Sequence, residues 1–263
     1  MMAMSGKPAR EQQETIAALL DAAKRKNQAV PLRREFVQQG GQRTPQPGPL
    51  REIVRHHDER ALDTYLLFRA LASSAPWDVK RDARIWGRAL GLATDADRGA
   101  SAVSKTWMRL DQTYHLVRRE RSGRLAKITA LHEAGNGAEY TYPSKGYFKL
   151  SFAYWTADEA WYRTLSFPAK ATLLVALSLR PPFVLPAEKA PAWYGMSADT
   201  VDRGLRELRE ARLLARSFTT VENWLSPTGK ATLYKFTLKP PFARPRRAAT
   251  QLATRSHLKV VGG

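Results

Sequence analysis

Six side chains recur every three or four residues along one stretch of this 263-residue sequence: Ser101, Ser104, Lys105, Met108, Arg109 and Gln112. That spacing places them on one face of a helix. The chemistry they offer is recognition rather than bond making. Lys or Arg can donate to O6 and N7 of a guanine, Gln can pair with an adenine, and Ser can reach a phosphate or either base edge. Just beyond them, Arg118, Arg119, Arg121, Arg124 and Lys127 stand against the single acid Glu120. Such a cation cluster gains affinity for a polyanion by releasing counterions, and it positions the partner without reading it.

Other residues that could do chemistry lack the arrangement it needs. Ser226-Pro-Thr-Gly-Lys-Ala-Thr232 has the Gly-Lys of a phosphate-cradling loop, but Trp224 stands where that loop needs its first glycine. His56 and His57 are adjacent rather than at ligand spacing, and His115, His132 and His257 have no companion carboxylate pattern, so no metal site is expected. Asp158-Glu159, between Trp155 and Trp161, reads as the polar first turn of a helix rather than an acid pair. The chain contains no Cys, which removes thiolate nucleophiles, disulfides and thiolate zinc sites. No nucleophile and base arrangement supports an enzyme, and no cofactor is expected.

The face at 101–112 needs a helix packed on a core, and an apolar seam for it is present. Val103, Trp107 and Leu110 recur at i, i+4 and i+7 and lead into Leu116-Val117. The same spacing returns 98 residues later in Val201, Leu205 and Leu208, ahead of Leu213-Leu214. Stretches 103–118 and 201–216 therefore superimpose without a gap. Ser101 is the expected N-cap of a helix over 102–113, and Ser197 that of its counterpart. Around the first copy, helices are expected at 61–72 and 79–90, a turn at 91–94 extended through 95–99, and strands at 114–119 and 125–131 about a turn at 121–123. Around the second, Pro168 opens a fully buried helix over 169–179, which Pro181-Pro182 ends. A short helix near 188–194 then leads into Gly195-Met196-Ser197, and 213–219 pairs with 231–238 across a long loop. In the aromatic run 147–155, Phe148, Leu150 and Phe152 alternate with Tyr147, Lys149 and Ser151, which suits a half-buried strand better than a base-stacking platform.

The run Trp193-Tyr-Gly-Met-Ser-Ala-Asp-Thr-Val-Asp-Arg-Gly-Leu-Arg-Glu-Leu208 is similar to the turn and recognition helix of bacterial winged-helix regulators. This resemblance implies an α+β, mostly α fold of two tandem winged helix-turn-helix domains, each three helices plus a β-hairpin wing. The recognition helix would enter the major groove of double-stranded DNA while the wing follows the backbone or minor groove. The implied role is a transcriptional regulator. The alternative is a plasmid or phage replication initiator, a class that resembles the same layout; a third reading is a winged-helix module that binds protein.

The copies are not equal. Ten residues separate Leu92 from Val103 but four separate Met196 from Val201, a six-residue insertion in the first. In the second, Asp199/Arg203, Asp202/Arg206, Arg203/Glu207 and Arg206/Glu210 are i, i+4 partners that can satisfy one another. Four bases against four acids leave residues 198–212 neutral. Thr200, Arg203 and Arg206 are thus expected as supporting half-site contacts, with a dimer or partner surface as the alternative use of this helix.

Length and charge frame these units. Two domains at 50–139 and 140–241 suit 263 residues, and 43% hydrophobic content with seven Trp can fill two cores. Residues 1–49 are expected as an amphipathic helix at 12–26, available for docking or a homodimer contact, and a Pro/Gly linker over 40–49. Residues 242–263 read as a flexible basic tail. The formal charge of +19 divides into +4, +4, +6 and +5 over these four segments, so the tails carry nearly half of it. No apolar run spans a membrane and no signal segment is evident, so a cytoplasmic, nucleoid-associated protein is expected.

Overall fold

Short polar side chains set where four of the helices begin. Asp58 accepts a hydrogen bond from the Ala61 N–H, Asp82 from Arg84, Ser166 from Ala169 and Ser197 from Thr200, each satisfying an amide that the first helical turn leaves unpaired. The structure, a computed structural model, describes residues 6–41, 44–92 and 96–244. The expected tail beyond 244 and part of the turn at 91–94 lie outside the described residues.

The chain opens with α1 (Gly6–Ala22), β1 (Ala29–Arg33), the hairpin β2 (Gln38–Gly41) and β3 (Thr44–Pro47), and α2 (Leu50–Arg55). Then come α3 (Glu59–Leu71), β4 (Asp78–Arg81), α4 (Ala83–Ala89), α5 (Ala96–Gln112), β5 (Val117–Ser122) and β6 (Leu125–Ala130). The second half runs β7 (Tyr147–Ser151), α6 (Ala153–Thr156), α7 (Trp161–Thr164), α8 (Phe167–Ser178), α9 (Ala190–Tyr194), α10 (Ala198–Glu210), β8 (Leu214–Glu222) and β9 (Lys230–Leu238). The class is α+β, with mostly helical elements and small antiparallel sheets.

Two parts of the chain repeat one connectivity. In the first, α3, β4, α4 and α5 precede the β5–β6 hairpin, and β4 pairs with the returning strand β6 to give the order β4-β6-β5. In the second, α8, α9 and α10 precede the β8–β9 hairpin, and Phe183 bridges Phe236 on the returning strand. Gly91 after α4 and Gly195 after α9 both take the left-handed conformation, at φ +69° and +65°, that ends a helix cheaply only for glycine.

The local expectations fail at several places. Residues 79–81, assigned to a helix, lie in β4: Val79 pairs with Ile128, and the Asp82 cap starts the helix only at Ala83. Ser101 is not an N-cap, because α5 begins at Ala96 and encloses it. Of the six inserted residues, four lengthen this helix: α5 starts seven residues before Val103, α10 three before Val201. The run 147–155 is a strand only to Ser151, after which Tyr154 and Trp155 turn into α6 and are buried. Asp158 and Glu159 precede α7 rather than forming its first turn.

Residues 40–47 are not a linker. Gly40 pairs with Pro45 and Gln38 with Pro47 in β2–β3, where a two-stranded ribbon tolerates prolines on its open edge. Nor does the N-terminal segment stand apart. From Ala29↔Ser151 to Arg33↔Tyr147, β1 pairs with β7, and α1 packs on α3, α4 and α6. Arg25 donates to the carbonyls of Arg69, Ala70 and Ala72, closing the C-terminus of α3.

The buried side chains of both halves form one contiguous apolar core. Trp107 meets Trp86 and Phe68 edge-on at centroid distances of 5.0 and 5.7 Å. Residues 169–178 of α8 are buried throughout. Within that helix the Lys170 ammonium lies 2.8 Å from both Glu59 and Asp63 of α3, so an ion cluster ties the first helices of the two repeats.

Candidate nucleic-acid interface

Burial of Val103, Trp107 and Leu110 leaves the opposite face of α5 to solvent. Ser101, Lys105, Met108 and Gln112 are exposed there, with Ser104 and Arg109 half-buried beside them. The β5–β6 hairpin continues this surface with Arg119, Arg121 and Arg124 exposed, while Arg118 is exposed on the other face of the strand. A cleft of about 570 Å³ lies between helix and hairpin, lined by Ser104, Arg119 and Arg124 and by Arg81 and Arg84 from the other side. An adjoining hollow of about 530 Å³ runs from Met108 and Gln112 to Arg121 and Arg124. Arg119 donates to the Ser104 carbonyl at 3.3 Å and to its Oγ at 2.9 Å, which fixes the hairpin against the helix.

Two of the predicted cations are spoken for. Arg109 grips Asp58 with Nε to Oδ2 at 2.5 Å and Nη2 to Oδ1 at 2.8 Å, and the Tyr114 hydroxyl donates to the same carboxylate at 3.0 Å. Burial would raise the Asp58 carboxyl, but Arg109, Tyr114 and the Ala61 amide together hold it below its ordinary range. Arg109 therefore joins the end of α5 to the start of α3, a positioning role rather than the base contact expected of it. Lys127 lies 3.4 Å from Asp78 and 3.7 Å from Glu120, so its charge is largely balanced within the three-stranded sheet.

Arg81 and Arg84 were not anticipated. A single helix over 79–90 hides their position, whereas the strand and the Asp82 cap bring both to the cleft. The available signal was Asp82 itself, a capping residue four positions after Asp78.

The corresponding surface of α10 is self-contained. Arg203 pairs with Asp199 at 3.0 Å and Arg206 with Asp202 at 2.8 Å. Glu207 turns away from Arg203 and accepts from the Ser166 amide at 2.7 Å and from its hydroxyl, binding α10 to the cap of α8. Thr200 belongs to the cap of its own helix, its N–H donating to Ser197 Oγ. The hairpin β8–β9, in contrast, projects apolar side chains, with Phe218 and Tyr234 exposed on opposed strands.

Among the described residues, no group of three or more His, Asp or Glu is placed to hold a metal ion, and no helix is long and apolar enough to cross a membrane. Compared with known protein families, curated proteins and solved structures, the chain matches none.

Proposed function

We infer that the protein binds double-stranded DNA through two tandem winged helix-turn-helix units, at 50–139 and 140–241, and acts as a sequence-specific transcriptional regulator. The observation that carries this reading is the continuous surface formed by the outward face of α5 and the arginines of β5–β6. It joins the exposed Lys105 and Gln112, as base readers, to Arg121 and Arg124, as phosphate partners, with Arg118 exposed on the other face of the same strand. The repeated connectivity, in which a strand or bridge before the second helix pairs with the returning wing strand, supports the winged-helix assignment. In the first unit α5 reads the major groove and its wing lies along the backbone. The second helix contributes little, since Arg203 and Arg206 are paired within the helix.

Charge reversal tests this division. Lys105→Glu is expected to weaken binding to fragments selected from the source genome by about tenfold or more, as removal of a base or phosphate partner does. Arg203→Glu is expected to leave it within about threefold, because that side chain contributes no interface of its own. Equal losses would overturn the assignment of α5 as reader. The same fragments separate two biological settings: a palindrome over a promoter fits regulation, whereas direct repeats at an origin fit a replication initiator.

A further inference from the structure

Trp224 is the exposed exception among the seven tryptophans, 81% accessible, and its neighbour Leu225 is 97% accessible. Both stand in the turn that joins β8 to β9. That turn is tied internally. The Asn223 N–H donates to the Gly229 carbonyl, Gly229 donates to Ser226, Ser226 donates to Asn223, and the Leu225 N–H reaches Asn223 Oδ1 at 3.1 Å. The Trp224 ring packs over Gly229, 3.6 Å from where a Cβ would stand. Two apolar side chains are thus held at the end of an arm, at a cost in hydration that a partner would remove.

The arm is basic. Its nine-residue strands pair from Leu214↔Leu238 to Glu222↔Lys230 and reach about 30 Å at ~3.4 Å per residue. Arg216, Lys230, Lys235 and Lys239 on or beside them face only one acid, Glu222. Arg216 sits 4.7 Å over the Tyr234 ring, which keeps that cation on the stem.

The geometry points to a finger that inserts into duplex DNA: Trp224 and Leu225 enter between base pairs while the basic stem lies along the phosphates. The partner that suits this tip is apolar within and anionic around the opening, as a base step flanked by phosphates is. A second copy of the chain would bring the same excess of cations against itself. Apolar wedges of this kind unstack a step and kink the duplex, so the finger deforms DNA rather than reading it. This inference rests on the DNA-binding reading and gives the second unit a task that its self-paired helix does not perform.

The test uses the full chain and a mixed-sequence duplex of about 40 base pairs containing TA steps, which are easily kinked. End-to-end energy transfer reports bending, and permanganate reactivity of thymines reports unstacking. The wild type is expected to shorten the end-to-end distance and expose thymines. Trp224→Ala with Leu225→Ala, confirmed folded by an unchanged thermal melt, is expected to retain binding through the first unit yet lose both signals, while Trp224→Phe keeps most of them. Bending and reactivity that survive in the double variant overturn the finger. So does a change from dimer to monomer in the double variant with bending intact, which would assign the tip to a second copy. If the wild type binds no duplex at low salt, the underlying DNA reading falls first, and the absence of binding distinguishes that failure from loss of bending alone.

Discussion

Arg109 shows how a residue of suitable type and spacing is diverted by its neighbourhood. Its guanidinium makes a bidentate pair with Asp58, which also caps α3 and receives the Tyr114 hydroxyl. Removing the guanidinium leaves a mostly buried carboxylate without its cation, so Arg109→Ala is expected to destabilise the fold by about 2 kcal/mol in urea unfolding. Lysine cannot reproduce the two parallel bonds, and Arg109→Lys is expected to recover less than half of the loss. If the alanine variant keeps full stability but loses DNA affinity, Arg109 is a base contact after all. Lys105, one turn earlier and exposed, has no such tie to the fold and carries the opposite expectation.

At the scale of elements, the corresponding helices α5 and α10 differ where they meet their supports. At the offset of 98 residues, Thr106 of α5 corresponds to Gly204 of α10. Thr106 is buried with its hydroxyl donating to the Ala102 carbonyl. Gly204 admits no side chain: a Cβ there would stand 2.1 Å from Thr172 Oγ1 and 2.7 Å from the Pro168 carbonyl of α8. Gly204→Ala is expected to cost about 2 kcal/mol by forcing α10 away from α8, with a matching drop in melting temperature. Gly87→Ala in α4, whose Cβ would come no nearer than 3.9 Å to the Gly99 backbone, is the control and is expected to be neutral or slightly stabilising. Comparable losses in both variants would contradict the close packing of α8 on α10.

The apolar seams of both helices were legible because a 3.6-residue period repeats locally, and Val103, Trp107, Leu110, Val201, Leu205 and Leu208 are all buried as that period requires. Other elements carry little local signal. β4 offers one buried residue, Val79, in four, and its partner strand lies some fifty residues on. β1 depends on β7, more than a hundred residues away, and no periodicity within residues 29–33 announces that pairing. The proline-bearing hairpin β2–β3 reads as a linker because composition records what proline forbids in a sheet interior but not what a ribbon edge permits. At the candidate site, residue types were legible, whereas the commitment of Arg109 to Asp58 was set by a pairing fifty-one positions apart.

Across the whole molecule, one buried charge cluster joins the N-terminal strand to the first repeat and another joins the two repeats. Glu133, after the first hairpin, receives Arg33 from β1 at 2.5 Å and Arg69 from α3 at 3.4 Å, and the Arg69 guanidinium lies 3.9 Å over the Tyr140 ring. Lys170 of α8 joins Glu59 and Asp63 of α3. Burial pushes the Asp63 carboxyl up to about 6 despite the attraction of Lys170. A carboxyl raised on folding adds stability that is complete below its unfolded value and is lost as pH rises through about 6. Relative to Asp63→Asn, the wild type is therefore expected to gain about 2 kcal/mol on going from neutral pH to about 4.5. A stability difference that does not change with pH would contradict the buried, partly protonated site.

The most direct test of the interface is the salt dependence of duplex binding. For a mixed-sequence duplex of about 40 base pairs, titrated between about 50 and 200 mM salt, the proposed reading of α5 and the β5–β6 hairpin predicts a slope of log affinity on log salt of about −3 or steeper. Changing Arg118, Arg121 and Arg124 together to Ala is expected to flatten that slope by about 3, near 0.9 for each phosphate that is no longer neutralised. A wild type that fails to bind at the lowest salt, or a triple variant with the wild-type slope, would contradict DNA binding through α5 and its wing.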